Sequence, residues 1–209
     1  MTPLQNYFRE TPLVAILRGI PPDEAVPVGQ ALYDEGFRCI EIPLNSPTPL
    51  VSIGRLAKSL PHDCLIGAGT VMSLEQVKQV SDCGGKVIVM PHSDPRVIKA
   101  VKSAGLLCLP GVATPTEAFA ALDNGADGLK LFPGEQIPPE VVKAWRAVVP
   151  REIALLPVGG VSVERMGEYW KAGASGFGLG SALYRPGADI AAIKVAARAF
   201  VTEIHALKV

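Results

Sequence analysis

The chain has 209 residues, with 20 Lys and Arg against 20 Asp and Glu and 48% hydrophobic residues. Balanced charge supplies no long-range field for a polyanion, which excludes nucleic acid and anionic membrane as expected partners, and so much apolar side chain excludes a disordered chain. No apolar run approaches the roughly 18 residues of a membrane span, and the segment from Met1 to Glu10 lacks the apolar core of a secretory signal, so the chain reads as cytoplasmic.

Short apolar runs recur along the chain at residues 14–17, 39–42, 65–68, 87–90, 106–109, 129–132, 154–158 and 177–179. From the second run onward each is preceded by a helix-stopping residue: Gly36, Pro61, Gly85, Gly105, Gly125, Pro150 and Gly173, spaced by 20–25 residues. That is the period of one strand plus one helix. The runs are apolar on both faces, as parallel strands covered by helices must be.

Helix signals lie between them. Ser73-Leu-Glu-Gln76 has the form of a capping box, and Thr114-Pro115-Thr116-Glu117 adds a proline at the first helical position. Near the C-terminus, Ile190, Ile193, Ala197, Phe200, Ile204 and Leu207 form one stripe, with Lys194, Arg198 and Glu203 elsewhere. Alternating strands and helices of this kind predict an α/β fold, a single-domain (β/α)8 TIM barrel over residues 1–209. A doubly wound open sheet is the alternative, because sequence does not show closure.

The four cysteines (Cys39, Cys64, Cys83, Cys108) contain no C-x-x-C pair, and the three histidines (His62, His92, His205) show no ligand spacing. Buried reduced thiols and no metal site are the expectation.

In such a barrel, polar groups belong at the C-terminal ends of the strands. Arg18, Thr70, Pro91, Gly159-Gly160 and Gly180-Ser181 all follow apolar runs and converge on one mouth in this reading. Two ionisable residues sit inside runs instead: Glu41 between Ile40 and Ile42, and Lys130 between Leu129 and Leu131. Burying an unpaired charge costs several kcal/mol. The pair is either a structural ion bridge or a tuned catalytic couple, in which desolvation favours the neutral amine that attacks a carbonyl. Glycines after the last two runs leave backbone N–H groups free to meet a phosphate near a helix N-terminus, and they equally permit tight turns. Arg18 offers a bidentate clamp for a carboxylate and Thr70 a hydroxyl donor; an ion pair and a helix cap are their ordinary alternatives.

Seven segments in chain order carry a family resemblance: Ile16-Leu-Arg-Gly19, Glu41-Ile-Pro-Leu-Asn-Ser-Pro47, Gly67-Ala-Gly-Thr-Val71, Pro110-Gly-Val-Ala-Thr-Pro-Thr-Glu-Ala-Phe119, Leu129-Lys-Leu-Phe-Pro133, Val158-Gly-Gly-Val161 and Gly178-Leu-Gly-Ser-Ala-Leu-Tyr-Arg185. The chain resembles the 2-keto-3-deoxy-6-phosphosugar-acid aldolases along essentially its whole length, and the galactonate-type members most. Gluconate-type members tend to read Glu-Val-Thr-Leu-Arg-Thr where this chain has Glu41-Ile-Pro-Leu-Asn-Ser46, and often carry Thr where it has Val158. Two stretches depart from the pattern: Met90-Pro-His92, with a bulkier third residue, and Gly134-Glu-Gln136.

The resemblance implies a cofactor-free, homotrimeric class I aldolase acting on a phosphorylated keto-deoxy sugar acid. Lys130 would form the Schiff base and Glu41 would act as general acid and base. Arg18 and Thr70 would hold the keto-acid carboxylate, Pro91 would pack beside the imine, and Gly159, Gly160, Gly180 and Ser181 would bind the phosphate. Val158 would bear on the choice of C4 epimer, with a gluconate-specific or dual-epimer enzyme as the alternative. Two other classes remain open from sequence. A phosphosugar isomerase or synthase barrel would share the glycines without needing a mid-strand lysine, and a non-catalytic phosphate sensor would leave Glu41 and Lys130 without a task.

Overall fold

The computed structural model describes residues 3–208. A short helix α1 (Pro3–Tyr7) leads into β1 (Leu13–Ile16), α2 (Pro22–Asp34), β2 (Cys39–Pro43), α3 (Pro49–Ser59), β3 (Leu65–Gly69), α4 (Leu74–Asp82), β4 (Val87–Val89), α5 (Pro95–Ser103) and β5 (Leu107–Leu109). Then follow β6 (Gly111–Val112), α6 (Pro115–Asp123), β7 (Gly128–Leu131), α7 (Pro139–Arg146), β8 (Ala154–Pro157), α8 (Val163–Lys171), β9 (Phe177–Leu179) and α9 (Ile190–Leu207). The strands lie in two arcs, β5-β4-β3-β2-β1-β9 and β6-β7-β8, and every ladder is parallel.

The fifth apolar run, 106–109, yields β5, and a second short strand that the runs do not signal, β6, follows it. Pro110 has no N–H to give a ladder and divides β5 from β6, so the pairing partner changes there. β5 pairs with β4, while β6 pairs with β7. The Pro110 carbonyl still accepts from the Lys130 N–H at 2.9 Å, and Cys108 O accepts from Asp127 N at 3.0 Å.

Side chains alternate between two apolar clusters, as the period of a strand requires. Leu13, Ala15, Ile40, Ile42, Ile66, Ala68, Leu129 and Leu131 join the large cluster shared with the helices. Val14, Cys39, Leu65, Val87, Val89, Leu107, Leu109 and Leu156 form the smaller cluster, on the concave side of the curled sheet. No helix but α1 reaches that second cluster among the described residues, which removes the doubly wound alternative: its second face would carry a helical layer. Leu4 (1% exposed) and Phe8 (9%) close that cluster. Five residues are too short for a periodic signal, which is why α1 went unpredicted.

Helix ends follow the sequence signals closely. Thr114 Oγ1 accepts from Glu117 N at 3.2 Å while Glu117 Oε2 accepts from Thr114 N at 2.9 Å, completing the box. Ser73 makes only half of one: its Oγ accepts from Gln76 N, and the Gln76 side chain accepts instead from Met72 N. Gly36, Gly105, Gly125 and Gly173 take positive φ after their helices, whereas after α4 the left-handed residue is Gly84 and not Gly85. In α9, Ile193, Ala197, Phe200 and Ile204 are buried; Ile190 is 39% exposed. No helix among the described residues is long and apolar enough to cross a membrane. Cys39, Cys64 and Cys108 are buried free thiols, and Cys83 is half-buried.

Candidate active site

Glu41 in β2 and Lys130 in β7 both face the concave side and are buried, 1% and 6% exposed. The strand pattern puts them there: Glu41 lies two residues beyond Cys39, and Lys130 two beyond Gly128, among neighbours that pack outward against helices. Register sets Glu41 beside Ile16 of β1 and Gly67 of β3, and Lys130 beside Gly111 of β6 and Leu156 of β8.

Burial governs both groups. Desolvation raises the Glu41 carboxyl from 4.5 to about 7, against the pull of Lys130, Arg18 and the Gly69 backbone N–H. Desolvation lowers the Lys130 ammonium below its ordinary 10.5; Glu41 opposes this and Arg18 adds to it. Each is therefore driven toward its neutral form. Neither belongs to an ion pair among the described residues, so the structural Glu41–Lys130 bridge is not formed. Glu41 Oε2 is buried without a hydrogen-bond partner. Lys130 Nζ lies 4.5 Å from the centre of the Phe132 ring, a cation–π contact when the lysine is charged.

Gly69, at the end of β3, makes room for the carboxylate: a Cβ there would overlap Glu41 Oε2. The next residue, Thr70, has φ +57. That left-handed backbone is costly for a β-branched side chain, of order 1–3 kcal/mol, and such strain concentrates where a side chain has to be aimed. Arg18 follows β1 and is exposed, and its Nη1 donates to Asn45 Oδ1 at 2.6 Å. Pro91 follows β4 and packs against the start of β6, where a Cβ on Gly111 would meet the Pro91 carbonyl at 2.7 Å.

The ends of β8 and β9 are joined by a bridge between Val158 and Gly178, so Gly159-Gly160 and Gly180-Ser181 leave the sheet side by side. Val158 is 8% exposed and lines a small apolar cavity with Lys130, Leu156 and Gly178. The two glycine pairs differ in kind. Gly159 (φ +109) and Gly160 (φ +63) need their left-handed backbone, and the space a side chain would take is held by Glu135: its Oε2 would lie 2.5 Å from a Cβ on Gly159. At Gly180 nothing lies within 4 Å of a Cβ position, so that space is open. α8 begins just beyond Gly160; its N-cap Ser162 accepts no bond at its side chain from the first turn, Arg165 N donates to Ser162 O at 3.1 Å, and the Glu164 carboxylate, held below its ordinary range by the Ser162 hydroxyl and its own backbone N–H, occupies the helix start. Arg165 of α8 donates from Nη1 to Gly160 O at 3.1 Å and stacks over the Tyr169 ring at 5.3 Å.

The structure thus brings Glu41, Lys130 and Val158 together on the concave side, with Arg18, Thr70, Pro91 and the four loop residues at the strand ends beyond them. Five neighbours escaped the sequence reading: Gly69, Asn45, Phe132, Glu135 and Arg165. Gly69 lay within the quoted Gly67-Ala-Gly-Thr70, and Glu135 lay within the stretch that departs from the family pattern, so both carried a signal without a role.

The family model for KDPG and KHG aldolase matches residues 4–195. The chain is 49% identical over 178 residues, 85% of this chain and 84% of the relative, to a probable 2-dehydro-3-deoxy-6-phosphogalactonate aldolase of Rhizobium meliloti (strain 1021). It is 45% identical over 196 residues, 94% of this chain and 96% of the relative, to the 2-dehydro-3-deoxy-6-phosphogalactonate aldolase of Escherichia coli (strain K12). A solved structure described as native KDPGal superposes with a TM-score of 0.93 at 43% identity, covering 95% of this chain and 97% of that one.

Proposed function

The chain belongs to the KDPG and KHG aldolase family and is a lyase of carbohydrate metabolism, and from that premise we propose that it cleaves 2-dehydro-3-deoxy-6-phospho-D-galactonate to pyruvate and D-glyceraldehyde 3-phosphate in galactonate catabolism. The observation that carries the chemistry is the unbridged Glu41–Lys130 couple, buried on one concave face with both groups pushed toward neutrality.

Neutral Lys130 adds through Nζ to the C2 ketone, and Glu41 shuttles protons as water leaves and the protonated imine forms. The iminium nitrogen is the electron sink. Glu41 takes the C4 hydroxyl proton, the C3–C4 bond breaks, its electron pair passes into the lysine-bound enamine, and the aldehyde phosphate departs. Protonation at C3 and hydrolysis of the imine release pyruvate and restore the amine. Arg18 and Thr70 hold the keto-acid carboxylate beside Pro91, and Gly159, Gly160, Gly180 and Ser181 hold the phosphate at the open end. The lysine supplies the sink itself, so the proposed mechanism uses neither metal nor organic cofactor.

For the architecture we read one domain and a closed (β/α)8 barrel. Supporting this are the backbone bonds from β5 to β7 across Pro110, the Val158–Gly178 bridge, and the 2.9 Å bond from Ser175 N to Leu155 O at the other end of the same seam. A homotrimer fits Met72, Leu74 and Phe119, each more than 40% exposed, on segments that follow β3 and β6. Buried free thiols suit a reducing cytoplasm.

The test is reduction with borohydride in the presence of pyruvate, followed by peptide mass mapping. The peptide bearing Lys130 gains mass while Lys86, Lys143 and Lys171 do not; labelling elsewhere, or no adduct, overturns the mechanism. Comparing turnover on the two C4 epimers then tests the substrate, and much faster cleavage of the gluconate form overturns the galactonate assignment.

A further inference from the structure

At the end of the sheet opposite the mouth, a cleft of about 480 Å³ lies between the C-termini of α7 and α8, and its charged lining consists of Lys143, Arg146, Arg151 and Lys171. We propose that this cleft binds a small multivalent anion of the organic or inorganic pyrophosphate class, at a site separate from the aldol centre.

Basic residues at helix C-termini ordinarily answer the helix dipole, so the charge has to be counted against that. Two helix ends carry about −0.5 each, together about one negative charge. Arg146 alone meets it. Its Nε donates to Gly173 O at 3.0 Å, its Nη1 to Pro150 O at 2.8 Å and Ile153 O at 3.1 Å, and its Nη2 to Ser175 Oγ at 3.1 Å. Lys143, Arg151 and Lys171 remain, exposed and outside every ion pair among the described residues. No acid lines the cleft among the described residues; Glu152 opposes the Arg151 charge at Arg146, and Glu140 and Glu168 sit one turn back on α7 and α8, outside the lining. Among the lining residues, with Glu152 counted in full against them, an excess of about two positive charges faces the cleft in a chain whose formal net charge is zero.

The arrangement also provides a polar floor. Ser175 Oγ accepts from both Arg146 Nη2 and Leu155 N, which leaves its own proton free to donate into the cleft. Arg146 is half-buried, and burial together with the Arg151 charge holds its pKa below the usual arginine value, a strain that a bound anion relieves. The volume falls in the range of small-molecule sites and exceeds what a single phosphate fills. Two linked phosphoryl groups can engage flexible lysines on opposite walls, Lys143 from α7 and Lys171 from α8, with Arg151 between them.

Titration calorimetry of the whole protein with inorganic pyrophosphate tests this. The mouth can also take an anion, so the measurement is made on the Ser181→Asp variant, whose added charge repels phosphate there. Binding persists in that variant, weakens steeply between 50 and 200 mM salt, and falls at least tenfold when Lys143→Gln and Lys171→Gln are added. In the Ser181-containing protein the two lysine changes leave aldol cleavage unaltered. Loss of all pyrophosphate binding in Ser181→Asp, or undiminished binding after both lysine changes, overturns the proposal. Arg151→Gln, on an exposed turn, gives the same reading if the double change lowers the yield of folded protein.

Discussion

Replacing Glu41 by Gln separates chemistry from stability in opposite directions. The amide keeps nearly the same volume against Gly69 and removes the ionisable group. In the folded protein the carboxyl titrates at about 7, against 4.5 in its ordinary state. Between those values the folded chain binds more protons than the unfolded one, so this group makes stability fall as pH rises. From pH 5 to pH 8 the loss is about 2.5 kcal/mol. The variant lacks it. In the variant Lys130 also loses the opposing pull of Glu41, so its pKa drops further and its own contribution rises with pH, which has the same sign. The melting temperature of Glu41→Gln relative to the parent therefore climbs by about 5–10 °C on going from pH 5 to pH 8, for a chain of this size. Turnover falls by roughly 10²–10⁴ over the same range if the carboxylate moves protons. Scanning calorimetry at the two pH values, with steady-state cleavage alongside, reads both quantities. A melting difference that is flat with pH would refute the desolvation argument, and normal turnover with a lowered melting temperature would return Glu41 to a purely structural part.

Two further substitutions follow from the same geometry. Gly69→Ala drives a Cβ into the Glu41 carboxylate; cleavage drops at least tenfold, and borohydride trapping with pyruvate slows with it, because in the proposed mechanism dehydration uses the same group. Val158→Thr changes one methyl to a hydroxyl in the cavity it shares with Lys130. The ratio of kcat/KM for the two C4 epimers moves toward gluconate while pyruvate trapping at Lys130 is retained; an unchanged ratio would remove Val158 from substrate choice.

Most of the strand-and-helix order was legible because apolar runs at a fixed spacing report burial on two faces. The misses have local causes. Pro110 ends the fifth run, and the two-residue β6 beyond it is too short to carry a pattern; the missing N–H of proline shifts the pairing partner at that point. Helix α1 is too short for periodicity, although its Leu4 helps to seal the concave core. Glu41 and Lys130 stood out because a lone charge among aliphatics is costly and easily seen. Phe132 and Asn45 lay within the resembling segments without a role, since an aromatic after a strand and an amide in a turn are common, and only three-dimensional proximity gives them a part. The glycines were ambiguous in sequence for a physical reason: Gly159 and Gly160 are required by their left-handed φ, whereas Gly180 has neither such a φ nor any atom within 4 Å of a Cβ position. That last glycine is the stronger pointer to a ligand.

The separation of Glu41 from Lys130 also bears on how the site works. An ion pair within bonding distance would hold the ammonium and the carboxylate in their charged forms and leave no nucleophile. Here the same apolar walls act on both groups with opposite sign, raising the acid and lowering the base, while their mutual attraction limits how far each moves. The charged and neutral forms of the couple are thereby brought closer in energy than in water, so one proton can shift with little cost. A class I aldolase needs that proton mobile: away from lysine for attack, onto the departing water, off the C4 hydroxyl, and onto C3. Gly69 leaves the carboxylate unobstructed and Phe132 packs beside the lysine, and in the proposed mechanism the substrate carbons sit between the two so that one carboxyl group serves every transfer.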